Sequence, residues 1–175
     1  MRAFIIAACS ALILSVTALP ASAEVLFSVS LDVPVAYDLT NPDVSDEDIS
    51  GFKVLISLPF FLGFGYEKYD VTGLAGPTSI TIDVEFYDLF VTIPVIEVVL
   101  GAGIGTGLLD TNPVSNSFEE ADLKQFFISY GIDFGLFFDI HLAYHVISGE
   151  AAGLGANSNE SLDAKMWTAG IKVGF

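Results

Sequence analysis

Alternation of apolar and polar positions runs through most of the chain after residue 24, and it is clearest in the last eleven residues. One face of residues 165–175 carries Trp167, Ala169, Ile171, Val173 and Phe175, and the other carries Met166, Thr168, Gly170, Lys172 and Gly174. Side chains of a strand alternate between two faces, so a period of two predicts a β-strand.

Seven further segments show this period. They lie at about residues 25–35, 51–58, 60–70, 79–92, 95–106, 125–134 and 138–146. Within residues 79–92 the pattern slips at Phe86 and Tyr87, and we expect a β-bulge there. Tight turns are expected near Pro59, Pro94 and Gly135, and longer polar loops at residues 36–50, 71–78, 109–122 and 149–162. The sequence therefore predicts eight antiparallel strands joined alternately by short turns and long loops.

The two faces of these strands differ in kind. One carries bulky aliphatic and aromatic residues, and the other carries glycine, serine and ionisable residues. A soluble lipocalin-like barrel would bury the first face in a ligand cavity and expose the second to water. Because glycine and aspartate do not make a dry core, we favour the opposite arrangement. The fold expected is an all-β, eight-stranded antiparallel up-and-down transmembrane β-barrel with its apolar face toward lipid.

The first residues predict export. Met1 and Arg2 precede an apolar stretch that ends near Leu19, and Pro20-Ala21-Ser22-Ala23 offers a small-x-small cleavage site. This pattern is typical of a secretory signal. We therefore expect residues 1–23 to be a cleaved signal peptide and residues 24–175 to be the outer-membrane barrel domain.

Composition narrows the functional classes. Residues 24–175 contain five lysines and 22 acidic residues, a net charge of −17, and they lack cysteine. Such a charge argues against nucleic-acid binding, which needs Lys and Arg to neutralise phosphates. The full chain is nevertheless 53% hydrophobic, with a mean hydropathy of +0.64. A barrel with one lipid-facing side per strand accounts for both properties.

On these patterns the chain resembles the small outer-membrane β-barrel superfamily, which includes the transmembrane domain of outer-membrane protein A and the opacity-type adhesins. The most specific feature is the terminal strand from Trp167 to Phe175, which looks like the signal read by the barrel assembly machinery. The resemblance implies a Gram-negative outer-membrane location among lipids and lipopolysaccharide. It does not imply one activity, because the superfamily contains adhesins, anchors, narrow pores and lipid-modifying enzymes.

Candidate chemistry lies on the predicted inner face. His141 and His145 are the only histidines, and Asp139 is beside them. They suggest a proton relay, a metal pair or catalysis, but a hydrogen-bonded network that fills the lumen explains them more simply.

The charged residues predicted to face inward can also be explained as filling of the lumen. Lys53 and Lys172 are expected to face the inward acids Asp32, Glu67, Asp88, Glu97, Asp133 and Asp139. Salt bridges among them would obstruct a narrow lumen, and the excess of acids would make any remaining conductance prefer cations.

Two enzyme classes are alternatives to a non-catalytic barrel. The pairs Asp83/Glu85 and Asp139/His141 resemble those of omptin proteases, but counting along the strands puts them at different heights. His145 and Ser148 suggest a lipid A-modifying enzyme. Neither set has an oriented nucleophile, base and acid. The sequence therefore favours a structural or surface-interaction barrel, with a narrow cation-preferring pore as a variant and a lipid A-modifying enzyme as the alternative. No catalytic residue, cofactor or metal site is assigned.

Overall fold

The structure, a computed structural model, describes residues 27–40, 44–75, 78–93, 97–112, 120–133, 138–152 and 159–174. The proposed signal peptide, the expected turn residues Pro94 and Gly135, and the terminal Phe175 lie outside these ranges. Eight long strands are present: β1 (Ser28–Leu39), β2 (Val44–Ser57), β3 (Leu62–Ala75), β4 (Thr78–Ile93), β5 (Val98–Asn112), β6 (Ala121–Asp133), β7 (Phe138–Ala151) and β9 (Ala164–Gly174). A two-residue strand, β8 (Glu160–Ser161), pairs with the end of β7.

The eight long strands close into an antiparallel barrel. Each pairs with its neighbour in the chain, and β9 closes the ring by pairing with both β7 and β1. Following directly paired residues once around from Ser28 returns to β1 at Tyr37, nine residues further along. This offset means that the strands are strongly tilted, as closure of a small barrel requires. The eight-stranded fold predicted from the sequence is confirmed.

Several local predictions are wrong. β4 pairs with β3 and β5 without any register shift, so there is no bulge at Phe86 and Tyr87. The irregularities lie elsewhere, between Pro34 and Ala36 on β1 and between Ser45 and Asp48 on β2. The strands also continue into much of the four segments predicted as long loops. The tight turn at Pro59 is confirmed as a 3-10 turn over Pro59–Phe61.

The end of the barrel that holds the Pro59 turn, called here the lower half, has an apolar exterior. On β3, Leu62 and Phe64 point outward while Gly63, Gly65 and Glu67 point inward. The same division holds on the other strands, as predicted. No helix among the described residues is long and apolar enough to cross a bilayer.

The upper half reverses these faces. On β4 the buried side chains continue upward as Phe86, Val84, Ile82 and Ile80, whereas Asp83 is exposed to the outside. Inward apolar side chains of all eight long strands join in one cluster here, with Tyr69, Leu123 and Met166 near its lower boundary. Outward Leu74 and Leu108 are exceptions among the described residues. The pattern slip in β4 therefore marks the level at which the apolar face changes from the exterior to the interior.

Candidate functional site

The most concentrated polar chemistry lies in the middle of the lumen. The Lys53 ammonium forms an ion pair with Glu67 and lies 3.7 Å from an Asp88 carboxylate oxygen. All three side chains are fully buried. Lys53 also lies 3.3 Å from the centre of the Phe127 ring, a cation–π contact. One cation therefore holds two carboxylates together inside the barrel, as the sequence predicted.

A chain of hydrogen bonds extends this cluster across the lumen. Gln125 donates from Nε2 to Asp88 at 2.8 Å, and its Oε1 lies 3.0 Å from Nδ1 of His145. Since that oxygen can only accept, Nδ1 carries the proton and Nε2 is left to accept from the Thr168 hydroxyl at 3.3 Å. His145 therefore has both ring nitrogens satisfied as a neutral imidazole.

Small residues on neighbouring strands give these side chains room. A Cβ atom added at Gly103 would lie 2.0 Å from the Asp88 carboxylate. The glycines of the inner face of β5 thus have a packing reason: larger side chains of β4 and β6, among them Asp88, Phe86 and Phe127, occupy the space in front of them.

Two further polar pairs lie below this cluster. His141 is hydrogen-bonded through Nε2 to Asp32 at 2.8 Å, and both side chains are buried. Nearer the lower mouth, Lys172 forms an ion pair with Asp139 and approaches Glu97 at 3.5 Å. Between these two pairs is a small cavity of about 20 Å³, enough for about one water molecule.

The structure brings most of the predicted inner residues into these contacts. Among the eight inward charges proposed from the sequence, only the Asp133 side chain lies outside the described part. His141 pairs with Asp32 on the distant β1, although Asp139 is nearer to it in the chain. Sequence reasoning missed Gln125 and Thr168 as histidine partners. Both side chains point inward on β6 and β9, the two strands that pair with β7, and this signal could have identified them.

The proposed enzyme constellations are not assembled. Asp83 and Glu85 face the exterior of β4, whereas Asp139 and His141 face the lumen. His145 is buried inside the barrel, and Ser148 is exposed on the outer face of the same strand. The wall of the barrel therefore separates the members of each set. Among the described residues, no cluster of three or more His, Cys, Asp or Glu side chains is arranged to hold a metal ion.

Above the polar network, the apolar cluster of the upper half occupies the lumen. Phe86 and Met166 are fully buried at its lower boundary, and Tyr69 donates a hydrogen bond from its hydroxyl to Glu67 at 2.8 Å. Tyr69 thus connects the polar network below to the apolar cluster above. Allowing for strand tilt, the apolar cluster extends the filled interior upward by roughly 15 Å.

The exterior has a matching boundary. Aromatic side chains encircle the barrel where its apolar outer surface ends: Phe52, Tyr66, Tyr87, Phe126, Tyr144 and Trp167. Two pairs of neighbours in this girdle are in close contact, with ring centroids 5.4 Å apart for Tyr66 and Tyr87 and 4.8 Å apart for Tyr144 and Trp167. From the lower end to this girdle the apolar band spans six residues on β6, β7 and β9. At about 2.5 Å of height per residue of a tilted strand, the band is roughly 15 Å high, less than the ~25 Å typical of membrane barrels.

Comparisons with known proteins agree with this architecture. No protein-family model and no curated protein matches the chain. The solid-state NMR structure of outer membrane protein AlkL in DMPC lipid bilayers is similar at 12% identity and a TM-score of 0.51, over 85% of this chain and 89% of that one. OmpT, an outer membrane protein of Vibrio cholerae, gives 13% identity and a TM-score of 0.35, and only 52% of its length is covered. The likeness to AlkL shows the fold alone: the chain has the fold of a small outer-membrane β-barrel.

Proposed function

We propose that this protein is an integral outer-membrane barrel with a structural or surface-interaction role, and that its lumen is closed. The lower half anchors the chain in the bilayer, and the upper half projects out of the bilayer as a water-exposed stalk. The observation that carries the proposal is the continuous filling of the interior, from the Lys172 pair through the Lys53 network to the apolar cluster.

The filling argues against a pore at two levels. Both inward lysines are in contact with carboxylates, so water and ions would have to displace contacts such as Lys53–Glu67. An ion that passed this level would then meet an apolar interior about 15 Å deep, where a bare charge is very costly. The acidic excess would favour cations only in a lumen that held water.

Exterior chemistry supports the anchoring role. The band below the girdle exposes large apolar side chains, among them Leu31, Leu89 and Ile128, which are roughly half exposed. Exposed apolar area of this extent is favourable against lipid and unfavourable against water. Above the girdle, outward Asp70, Asp83 and Asp122 face a polar medium. The acidic outer surface of the stalk is then the part available to a surface partner.

Planar-bilayer recording of the purified barrel tests this function. We expect no conductance steps from the native protein. Lys53→Gln should also be silent, since the apolar cluster above the ion pairs remains in place. Reproducible steps from the native protein would overturn the closed-lumen proposal, and its absence from outer-membrane fractions would overturn the anchoring role.

A further inference from the structure

The five lysines of the chain occupy two separate places. Lys53 and Lys172 lie in the lumen, and the other three, Lys68, Lys124 and Lys165, are exposed on the exterior. Each exterior lysine is the first charged outward residue above the apolar band on its strand. A girdle aromatic lies two residues below each lysine on the same face: Tyr66 below Lys68, Phe126 below Lys124 and Trp167 below Lys165. We call these three lysines the collar.

The collar surrounds the barrel at one level. Its members lie on β3, β6 and β9, so two or fewer strands separate neighbouring lysines around the ring. Corrected for strand tilt, their heights differ by only roughly 4 Å. The recorded ion pairs among described residues use Lys53, Lys172 and the histidines, and none uses the collar. Across the strands, Lys68 lies opposite Glu85 and Lys165 lies opposite Asp38, whereas Lys124 lies opposite the uncharged Ile104 and Ser148. All three lysines are exposed on the outer surface, where an external partner can reach them.

Charge defines that partner. The chain carries a net charge of −16, and the next outward residues above the collar are acids: Asp70 on β3, Asp122 on β6 and Asp163 directly before β9. Those acids lie higher on the barrel and would be repelled by anionic groups. The collar is lower and places positive charge at the level where the apolar band ends. That level is where lipid headgroups lie, and phosphate is the anion that they carry.

We propose that the collar binds the phosphate groups of lipid A in the outer leaflet. The inference rests on the proposed outer-membrane location with the stalk facing outward. The lysine stems lie along the girdle aromatics while the ammonium groups reach the phosphates. Lipid A fits because its phosphorylated sugar presents anions close to the acyl chains, at the level of the collar.

Titration of the purified barrel in zwitterionic detergent with lipid A, followed by native mass spectrometry, tests the proposal. The variant Lys68→Gln/Lys124→Gln/Lys165→Gln should bind lipid A about a hundredfold more weakly, and each single variant about fivefold, if each lysine near a charged lipid surface contributes about 1 kcal/mol. Lipid A stripped of its phosphates should bind the native barrel as weakly as intact lipid A binds the triple variant.

A control removes the acids two residues above the collar lysines: two lie on β3 and β6, and the third directly precedes β9. Asp70→Asn/Asp122→Asn/Asp163→Asn should bind lipid A at least as tightly as the native barrel. Equal binding by the native and triple-lysine barrels would overturn the proposal, and so would equally tight binding of phosphatidylglycerol, which would remove the assignment to lipid A. Whether or not lipid A binds the collar, a native barrel that gives no conductance steps and is found in outer-membrane fractions would leave the proposed function intact.

Discussion

The lower and upper halves of the barrel share one set of hydrogen-bonded strands, but they put their apolar side chains on opposite faces. Below the girdle, Leu89 faces outward and Asp88 inward; above it on the same strand, Asp83 faces outward and Ile82 inward. The backbone is hydrogen-bonded between neighbouring strands in both halves. The proposed placement, with lipid around the lower half and water around the upper half, explains this difference.

The largest effect is expected where a buried charge loses its partner. Lys53→Met should lower the free energy of unfolding by about 3–5 kcal/mol, because Glu67 and Asp88 would remain buried without their cation. Urea unfolding of the barrel in lipid vesicles measures this. The triple variant Lys53→Met/Glu67→Gln/Asp88→Asn should recover much of the loss. A cost below about 1 kcal/mol for Lys53→Met would mean that the lower lumen is already hydrated.

The exterior offers a second test on a single strand. Leu100→Arg, in the apolar band of β5, should destabilise the barrel by about 2–4 kcal/mol, as expected for a charge near the bilayer midplane. Thr106→Arg lies on the same face of the same strand above the girdle and should have almost no effect. Folding yield and urea unfolding in vesicles compare the two. Equal costs would show that the girdle is not the membrane boundary.

Matched isoleucines compare packing inside the stalk with packing against lipid. Ile82 is 1% exposed in the apolar cluster, and Ile140 is 44% exposed on the apolar band. Ile82→Val should cost about 0.5–1.5 kcal/mol through the missing methylene and the space it leaves. Ile140→Val should cost less, because lipid chains move to fill the gap. Urea unfolding in vesicles compares the two costs. A larger loss of stability for Ile140→Val than for Ile82→Val would contradict the placement of Ile82 in a packed interior and Ile140 against lipid.

The fold was predictable because a period of two fixes the face of every side chain relative to its neighbours. That parity correctly placed Lys53, Asp88 and His145 inside without any knowledge of their partners. It could not choose between the ways of pairing them. The Asp32–His141 contact joins β1 to β7, and it depends on ring closure and strand offset, which alternation does not encode.

The reversal between the halves was missed for a related reason. The bulge predicted at Phe86 and Tyr87 would put Ile80, Ile82 and Val84 on the same outward face as Leu89. A regular strand that passes from lipid into water produces the same slip, because parity is kept while the apolar face changes. Lys68, Lys124 and Lys165 were informative in hindsight, since each ends the outward apolar series on its strand.

The smallest expected effect concerns the outer surface of the stalk. Asp83 and Asp70 are paired across β3 and β4, four or more residues above the girdle tyrosines, with Lys68 and Asp110 nearby. Partial burial, followed by the hydrogen bond and negative charge of Asp70, raises the pKa of Asp83. A raised folded-state pKa means that protonation favours folding. The stabilising contribution is therefore present below the unfolded-state pKa of about 3.9 and is lost as pH rises through the folded-state value.

Asp83→Asn removes this ionisation and should raise the free energy of unfolding at pH 7 by less than about 1 kcal/mol, since water screens an exposed pair. At pH 3, where the native aspartate is protonated, the variant and the native barrel should unfold at the same urea concentration. Asp122→Asn, an exposed acid at a similar level on β6, is the control and should show no such difference between the two pH values. If Asp83→Asn stabilised the barrel equally at pH 3 and pH 7, the gain would come from a source other than carboxylate repulsion, and a water-exposed Asp70–Asp83 pair would no longer distinguish the stalk from the band below it.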